Sequence, residues 1–258
     1  MPPKLRLDKL LVDKGLAPTR EKAQFLVMSG NVLVNDQKID KCGTPVSETA
    51  QIRLLTEVPR FVSRGATKLQ APLEAFKIPL EGRLAFDIGI STGGFTDLLL
   101  QSGVRSVIGV DVGYGQIDYK LRQDPRLLLI ERTNARTLDA GILTTHRLKH
   151  VHPEAFTEAP DLVVMDLSFI SVTKVLPAIQ RLCAPQTDYV ILIKPQFESQ
   201  KSEIGKGGII KDVDTQHRIV DRVITTLTEH FLPLALCPSP ITGTKGNQEF
   251  ILWLQNPG

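Results

Sequence analysis

Four stretches of the chain run apolar for several residues and then stop on a charged side chain: Leu84-Ala85-Phe86-Asp87, Val107-Ile108-Gly109-Val110-Asp111, Leu162-Val163-Val164-Met165-Asp166 and Tyr189-Val190-Ile191-Leu192-Ile193-Lys194. Short unbroken apolar runs suit strands covered on both faces, as in a parallel sheet. Helical patterns alternate with these runs from about residue 64 to the end, which predicts a doubly wound α/β domain over residues 64–258. Ligands of such sheets bind beyond the carboxyl ends of the strands. Asp87, Asp111, Asp166 and Lys194 are therefore expected along one edge, where a core has no use for charge.

The first 55 residues follow a different rhythm. Leu7, Leu10 and Leu11 lie at helical spacing before Gly15, which suits a helix C-terminus. Thr19 is placed to cap a second helix, with Glu21 in its first turn and Ala23, Phe25, Leu26 and Met28 leading to Gly30. Asn31 to Ile39 read as a strand, a turn and a return strand, and Gln51-Ile52-Arg53-Leu54 as a closing strand. Residues 1–55 thus form a small α+β unit. Residues 56–63 form a linker in which Pro59 discourages helix.

Charge sharpens this division. Residues 1–70 carry 12 basic and 7 acidic side chains, against 19 and 21 in the remainder. A basic segment on a near-neutral body suits a polyanion partner, and a solvated charged face suits it equally. The exposed basic residues are expected to be Lys4, Arg6, Lys9, Arg20, Lys22 and Lys38. Apolar content of 42% excludes a disordered chain. No apolar run reaches the roughly 18 residues of a membrane span, and the amino terminus lacks a signal-peptide core. Cys42, Cys183 and Cys237 are far apart and form no CxxC pair, as in reduced thiols of a cytoplasmic protein. No metal-ligand cluster is expected; His146, His150 and His152 read as a solvated basic loop. Nothing in the sequence calls for an obligate protein partner.

The loop Asp87-Ile88-Gly89-Ile90-Ser91-Thr92-Gly93-Gly94-Phe95-Thr96-Asp97 joins the first of these strands to a helix beginning near Phe95 or Thr96. Its glycines allow a tight turn and close ligand approach, but Ser91 stands where a dinucleotide fingerprint has its second glycine. Asp111 ends the next strand, where ribose hydroxyls are commonly bound. A glycine loop and a ribose-binding acid without the full fingerprint suit S-adenosylmethionine. Gly89-Ile90-Ser91-Thr92-Gly93 also matches a nucleophile elbow, with Asp166 and His217 or His230 as partners. That reading leaves Asp111 and Lys194 without work.

Longer motifs carry a resemblance. Arg6-Leu7-Asp8-Lys9-Leu10-Leu11, Ala17-Pro18-Thr19-Arg20-Glu21-Lys22-Ala23 and Ser29-Gly30-Asn31-Val32-Leu33-Val34-Asn35 resemble the S4 RNA-binding domain. Ser63-Arg64-Gly65-Ala66-x-Lys68-Leu69, the glycine loop, Asp161 to Ser171, and Ile193-Lys194-Pro195-Gln196-Phe197-Glu198 resemble the FtsJ-like ribosomal RNA methyltransferases. Together they resemble the TlyA family, also called hemolysin A. The resemblance implies a Rossmann-like class I S-adenosylmethionine-dependent methyltransferase sheet behind an S4-like domain. It implies a catalytic tetrad of Lys68, Asp166, Lys194 and Glu249. It places the methyl donor on Asp87, Gly89, Ser91, Gly93, Gly94, Phe95 and Asp111, with Asn134 on the adenine side, and ribosomal RNA or ribosomal subunits on Arg6, Lys9, Arg20, Lys22 and Lys38. The linker departs from some relatives, with Phe61 before Val62 where they carry tryptophan.

The implied reaction is methylation of a ribose 2′-hydroxyl, with cytidine suggested by the family. Lys194 is expected to orient or deprotonate that hydroxyl, with no metal required. Lys68 nearby favours its neutral form and Asp166 its charged form; these oppose each other. Two other classes compete: a non-enzymatic RNA-binding or ribosome-assembly factor on the same fold, and a membrane-lytic protein, as the older family name suggests.

Overall fold

The structure, a computed structural model, describes residues 3–55, 60–205, 207–243 and 245–257. The chain divides into two compact units, residues 1–60 and 61–258. Of the expected linker, residues 56–59 lie outside the described residues. Its second half is no linker. Phe61 is buried in the core of the larger unit, and the Val62 N–H donates to Asp97 Oδ2 at 2.7 Å.

The small unit contains strand β1 (Lys4–Arg6), helices α1 (Leu7–Asp13) and α2 (Arg20–Met28), and strands β2 (Val32–Val34), β3 (Gln37–Lys38), β4 (Pro45–Ser47) and β5 (Ile52–Leu54). Leu7, Leu10, Leu11, Ala23, Leu26 and Val32 close its core, as the helical spacing predicts. Thr19 Oγ1 accepts from the Lys22 N–H, filling one of the orphan donors at the start of α2. Asn35 and Asp36 turn β2 into β3 at φ 49° and 61°, a left-handed pair these side chains tolerate. Strand β1 pairs with β4; a helical reading of the first residues misses it, because three residues are too few to show alternation.

The larger unit runs α3 (Gly65–Phe76), β6 (Leu84–Ile88), α4 (Gly94–Gln101), β7 (Ser106–Val110), α5 (Tyr119–Arg122), β8 (Leu127–Ile130), α6 (Ala140–Arg147), β9 (Leu162–Met165), α7 (Leu176–Gln180), β10 (Asp188–Ile193), α8 (Pro195–Glu198), α9 (Val213–Leu227), β11 (Leu232–Pro238) and β12 (Phe250–Gln255). Its seven-stranded sheet has the order β11-β12-β10-β9-β6-β7-β8, parallel from β10 to β8, with β12 antiparallel to both of its neighbours. Alternate strand residues feed two cores. Leu84, Phe86, Val163 and Met165 meet α7 and α9 on one face. Ala85, Leu162 and Val164 meet α3 and α4 on the other. Both faces are dry, which is why these strands read as unbroken apolar runs.

Register aligns the strand ends. Ile88 pairs with Val110 on one side and Met165 on the other, so Gly89, Asp111 and Asp166 all follow at one level. Ile193 pairs with Phe250, so Lys194 and Glu249 stand next to each other just beyond the same edge. The chain order reverses between β6 and β9, the crevice where open α/β sheets bind ligands.

His150 corrects the reading of a solvated histidine loop. Its Nε2 meets the Leu127 carbonyl oxygen at 3.2 Å and its ring packs edge-on against Phe156.

Candidate functional site

At the crevice, α3 delivers Lys68 from one face of the sheet and the strand ends deliver the rest. Lys68 Nζ lies 2.7 Å from Glu249 Oε2 and 3.5 Å from Asp166 Oδ2. Lys194 Nζ lies 2.5 Å from Asp166 Oδ1 and donates to Ser168 Oγ at 3.1 Å. The Lys194–Asp166 approach is an ion pair without hydrogen-bond alignment, so Asp166 Oδ1 retains unused acceptor capacity. Four side chains separated by up to 181 residues thus form one chain, Lys194–Asp166–Lys68–Glu249. Glu249 and Lys194 are nearly excluded from solvent, with side chains 3% and 9% exposed. Burial works against the charge on Lys68, but Asp166 and Glu249 outweigh it and hold its amine above the ordinary lysine value.

The network opens on a cavity of about 880 Å³. Lys68, Asp87, Gly89, Ser91, Phe95 and Asp166 line it, and so does Gly94. Gly93, Asp111, Asn134, Lys194 and Glu249 do not line it. Gly93 precedes α4 at φ 92°, and Asn134 Oδ1 accepts from the Arg136 N–H at the start of a short 3-10 turn. Gly89 is irreplaceable on two counts. Its φ is 87°, and a Cβ there would stand 2.5 Å from the Asp166 carbonyl oxygen. Ser91 adopts φ 49°, so the loop needs a left-handed residue at the fingerprint's serine as well. Asp111 shapes the loop from behind, accepting from Ser91 N at 2.9 Å and Gly113 N at 2.7 Å. Each of its oxygens keeps a lone pair for a further donor.

Asp87 departs from the strand-end expectation by one residue, lying inside β6 and fully buried. Its Oδ2 accepts from Thr96 N at 3.0 Å and Thr96 Oγ1 at 2.7 Å, while Oδ1 has no partner among the described residues. Burial pushes the carboxyl up to about 7, against the pull of the Thr96 bonds. An unpaired acid at a cavity wall suits a ligand that brings positive charge.

No histidine lines the cavity that holds Ser91 and Asp166. His217 packs on Phe250, and Ser91 Oγ bonds Gln116 Oε1 at 3.4 Å. The nucleophile-elbow reading therefore has no base.

Two contributors escaped the sequence reading. Gly243 lies against Glu249, where a Cβ would come within 2.5 Å of Oε1. The turn-forming run Thr242-Gly243-Thr244-Lys245-Gly246 before the last strand is the available signal. Ser168 lies within the Asp161 to Ser171 stretch, but only the fold brings its hydroxyl to Lys194.

In the small unit, Asp8 is buried at 0% exposure and gathers Arg6, Arg20 and Gln24. Arg6 meets it through two nitrogens, at 3.1 and 3.0 Å, and Arg20 through Nε at 3.0 Å. The Arg6 bonds hold the Asp8 carboxyl well below the usual range, against the cost of burial and with help from Gln24 and Arg20. Arg6, Lys9, Arg20 and Lys38 are exposed as expected, whereas Lys22 is half-buried.

Known proteins resemble this arrangement. The FtsJ-like methyltransferase family matches residues 61–256, and the S4 domain matches residues 5–52. The 16S/23S rRNA (cytidine-2′-O)-methyltransferase TlyA of Mycobacterium tuberculosis is 42% identical, over 97% of this chain and 89% of its own. Hemolysin A of Brachyspira hyodysenteriae is 36% identical, over 96% of this chain and 98% of its own. A solved structure that carries the hemolysin name, from Streptococcus thermophilus, superposes with a TM-score of 0.70 at 35% identity, covering 99% of this chain and 90% of that one. With its S4 domain, glycine loop and Lys-Asp-Lys-Glu network, the chain belongs to the TlyA, or hemolysin A, family of FtsJ-like methyltransferases.

Proposed function

We propose that this protein methylates ribosomal RNA, moving the methyl group of S-adenosylmethionine onto the ribose 2′-hydroxyl of a cytidine. The observation that carries this reading is the Lys194–Asp166–Lys68–Glu249 chain beside the glycine loop of one cavity. The names of the relatives support the same acceptor.

The residues fit the donor. A cavity of about 880 Å³ lies within the usual span of small-molecule sites. Gly89, Ser91, Gly93, Gly94 and Phe95 form the loop that would hold it, and Asp111 has lone pairs to spare for ribose hydroxyls. Asp87 Oδ1, buried and unpartnered, favours a cationic ligand. When bound, S-adenosylmethionine supplies a methyl group on a sulfonium, which is already electrophilic. What remains for the protein is alignment and the hydroxyl proton.

Lys68 is held in its charged form and orients rather than accepts. Lys194 takes the proton from the acceptor hydroxyl. Asp166 bridges the two amines and fixes both, and Glu249 anchors Lys68 from the far side. In the small unit, Arg6, Lys9, Arg20, Lys22 and Lys38 meet RNA phosphates, which position the substrate without reading its sequence. Ribosomal RNA as substrate places the protein in the cytoplasm. No helix among the described residues is long and apolar enough to cross a membrane.

Mass-spectrometric mapping of ribosomal RNA from cells with and without this protein tests the reading. A 2′-O-methylcytidine that vanishes with the protein, and that purified protein restores on isolated subunits, is the expected result. Unchanged RNA, with donor binding intact, would instead favour a non-enzymatic RNA-binding role.

A further inference from the structure

We infer that Ser168 is a positioning residue for Lys194 and the outlet for its proton; this rests on the proposed role of Lys194. Lys194 is buried, and its amine touches two polar side chains among the described residues, Asp166 at 2.5 Å and Ser168 at 3.1 Å. Asp166 faces both amines, Lys194 through Oδ1 and Lys68 through Oδ2, so a proton passed to it stays inside the ion-pair chain. Ser168 is different in kind. Its hydroxyl is neutral and can both accept and donate, and the residue is exposed to solvent while the amine is not.

The contact is built rather than incidental. Ser168 follows the end of β9, and Lys194 directly precedes α8. The segments bearing these residues are tied twice more. Glu198 Oε1 of α8 accepts from the Val172 N–H at 2.8 Å. The Phe169 and Phe197 rings pack with centroids 4.9 Å apart. The Lys194 amine also lies 5.8 Å from the Phe197 ring centre, an apolar wall on that side. Asp166 leads from the amine to Lys68 and Glu249, and Asp87 lies within electrostatic reach of Asp166. The hydroxyl of Ser168 is the polar exit from this enclosure.

The chemistry needs such an exit. Each turnover leaves one proton on the Lys194 amine, which must be neutral again before the next hydroxyl arrives. In the relay, one N–H bond of Nζ breaks and an O–H bond forms on Ser168. The original hydroxyl proton of Ser168 passes to water. The products are a neutral amine, an unchanged serine and a proton in solvent. Lys68 cannot take this part, because its carboxylate partners hold it charged.

The test compares full-length wild type with Ser168→Ala and Ser168→Thr in two measurements. Methyl transfer to isolated ribosomal subunits gives kcat and KM for RNA and donor. Acetic anhydride labelling without donor, read residue by residue by mass spectrometry, reports the Lys194 amine itself. Ser168→Ala is expected to lower kcat about ten- to a hundredfold with both KM values within about twofold. Its Lys194 labelling should rise severalfold, because the amine loses a partner. Ser168→Thr, which keeps the hydroxyl, should restore both. Wild-type kcat or wild-type labelling in Ser168→Ala overturns the inference, as does a rise in KM alone or a failure of threonine to rescue. If wild type transfers no methyl to RNA, the functional proposal fails, while the labelling still decides whether Ser168 positions Lys194.

Discussion

The two ends of strand β10 carry opposite kinds of buried charge. At its amino end Asp188 Oδ2 accepts from Arg83 Nη1 at 2.6 Å, and Oδ1 accepts from Trp253 Nε1 and Gln255 Nε2, both at 2.8 Å. Arg83 is further bound to the carboxylate and carbonyl of Asp161. Both Asp188 oxygens have partners. Just past the carboxyl end, the Lys194 network leaves acceptor capacity on Asp166 Oδ1, and Asp87 Oδ1 nearby is unpartnered. Both residues line a cavity. A closed network locks the sheet, while an open one has capacity for a ligand. Completeness of hydrogen bonding, more than the presence of charge, separates structure from site.

The contrast extends to pH. Burial alone would raise Asp188, but Arg83, Gln255 and Trp253 hold its carboxyl below the ordinary value. Its stabilising contribution is present above the ordinary carboxylate pKa of about 3.9 and is lost in acid. Asp87 has the opposite sign. Its carboxyl is pushed up to about 7, so the folded state binds the extra proton and stability falls as pH rises from about 4 to about 7.

The largest expected effect is on chemistry. Lys194→Ala should lower methyl transfer by about 10²- to 10⁴-fold while titration calorimetry finds donor affinity little changed. Near-normal turnover would remove Lys194 from the reaction. At the other end of the strand, Arg83→Met should cost about 3 kcal/mol in urea unfolding, because two carboxylates lose their cation. Its turnover per folded molecule should equal wild type, and a specific loss of turnover would erase the distinction between the two ends. Asp8→Asn in the small unit should cost about 2 kcal/mol and weaken RNA binding in filter assays, since the Arg6 and Arg20 guanidiniums lose their common anchor. RNA affinity equal to wild type would reduce Asp8 to a folding role. Smallest is Asp87→Asn, which should flatten the fall in melting temperature between about pH 4 and about pH 7 in donor-free protein. An unaltered slope would show that Asp87 does not carry that part of the pH dependence.

Much of this was visible in the chain itself. The strands β6, β7, β9 and β10 follow from apolar runs, because a strand buried on both faces tolerates no polar interruption. Thr19 marks the start of α2 through its own side chain. Local geometry suffices for such features. Lys68 and Glu249 are another matter. Nothing near either residue distinguishes it from a surface group, and family resemblance alone singled them out. The partnership of Arg83 with Asp188 and of Ser168 with Lys194 left no trace in spacing, and His150 looked solvated until Phe156 and Leu127 closed over it.

By itself the sequence determined which segments are buried, where the sheet edge lies and which residues could serve chemistry there. Those properties depend on neighbours within a few residues, through periodicity, caps and turn-forming types. Only the tertiary structure decided which charges are compensated and which are left open, because pairing depends on strand register and helix packing between residues as much as 181 positions apart. Whether a buried carboxylate locks a fold or faces a ligand depends on how many donors reach its two oxygens, and that number does not exist until the chain has folded.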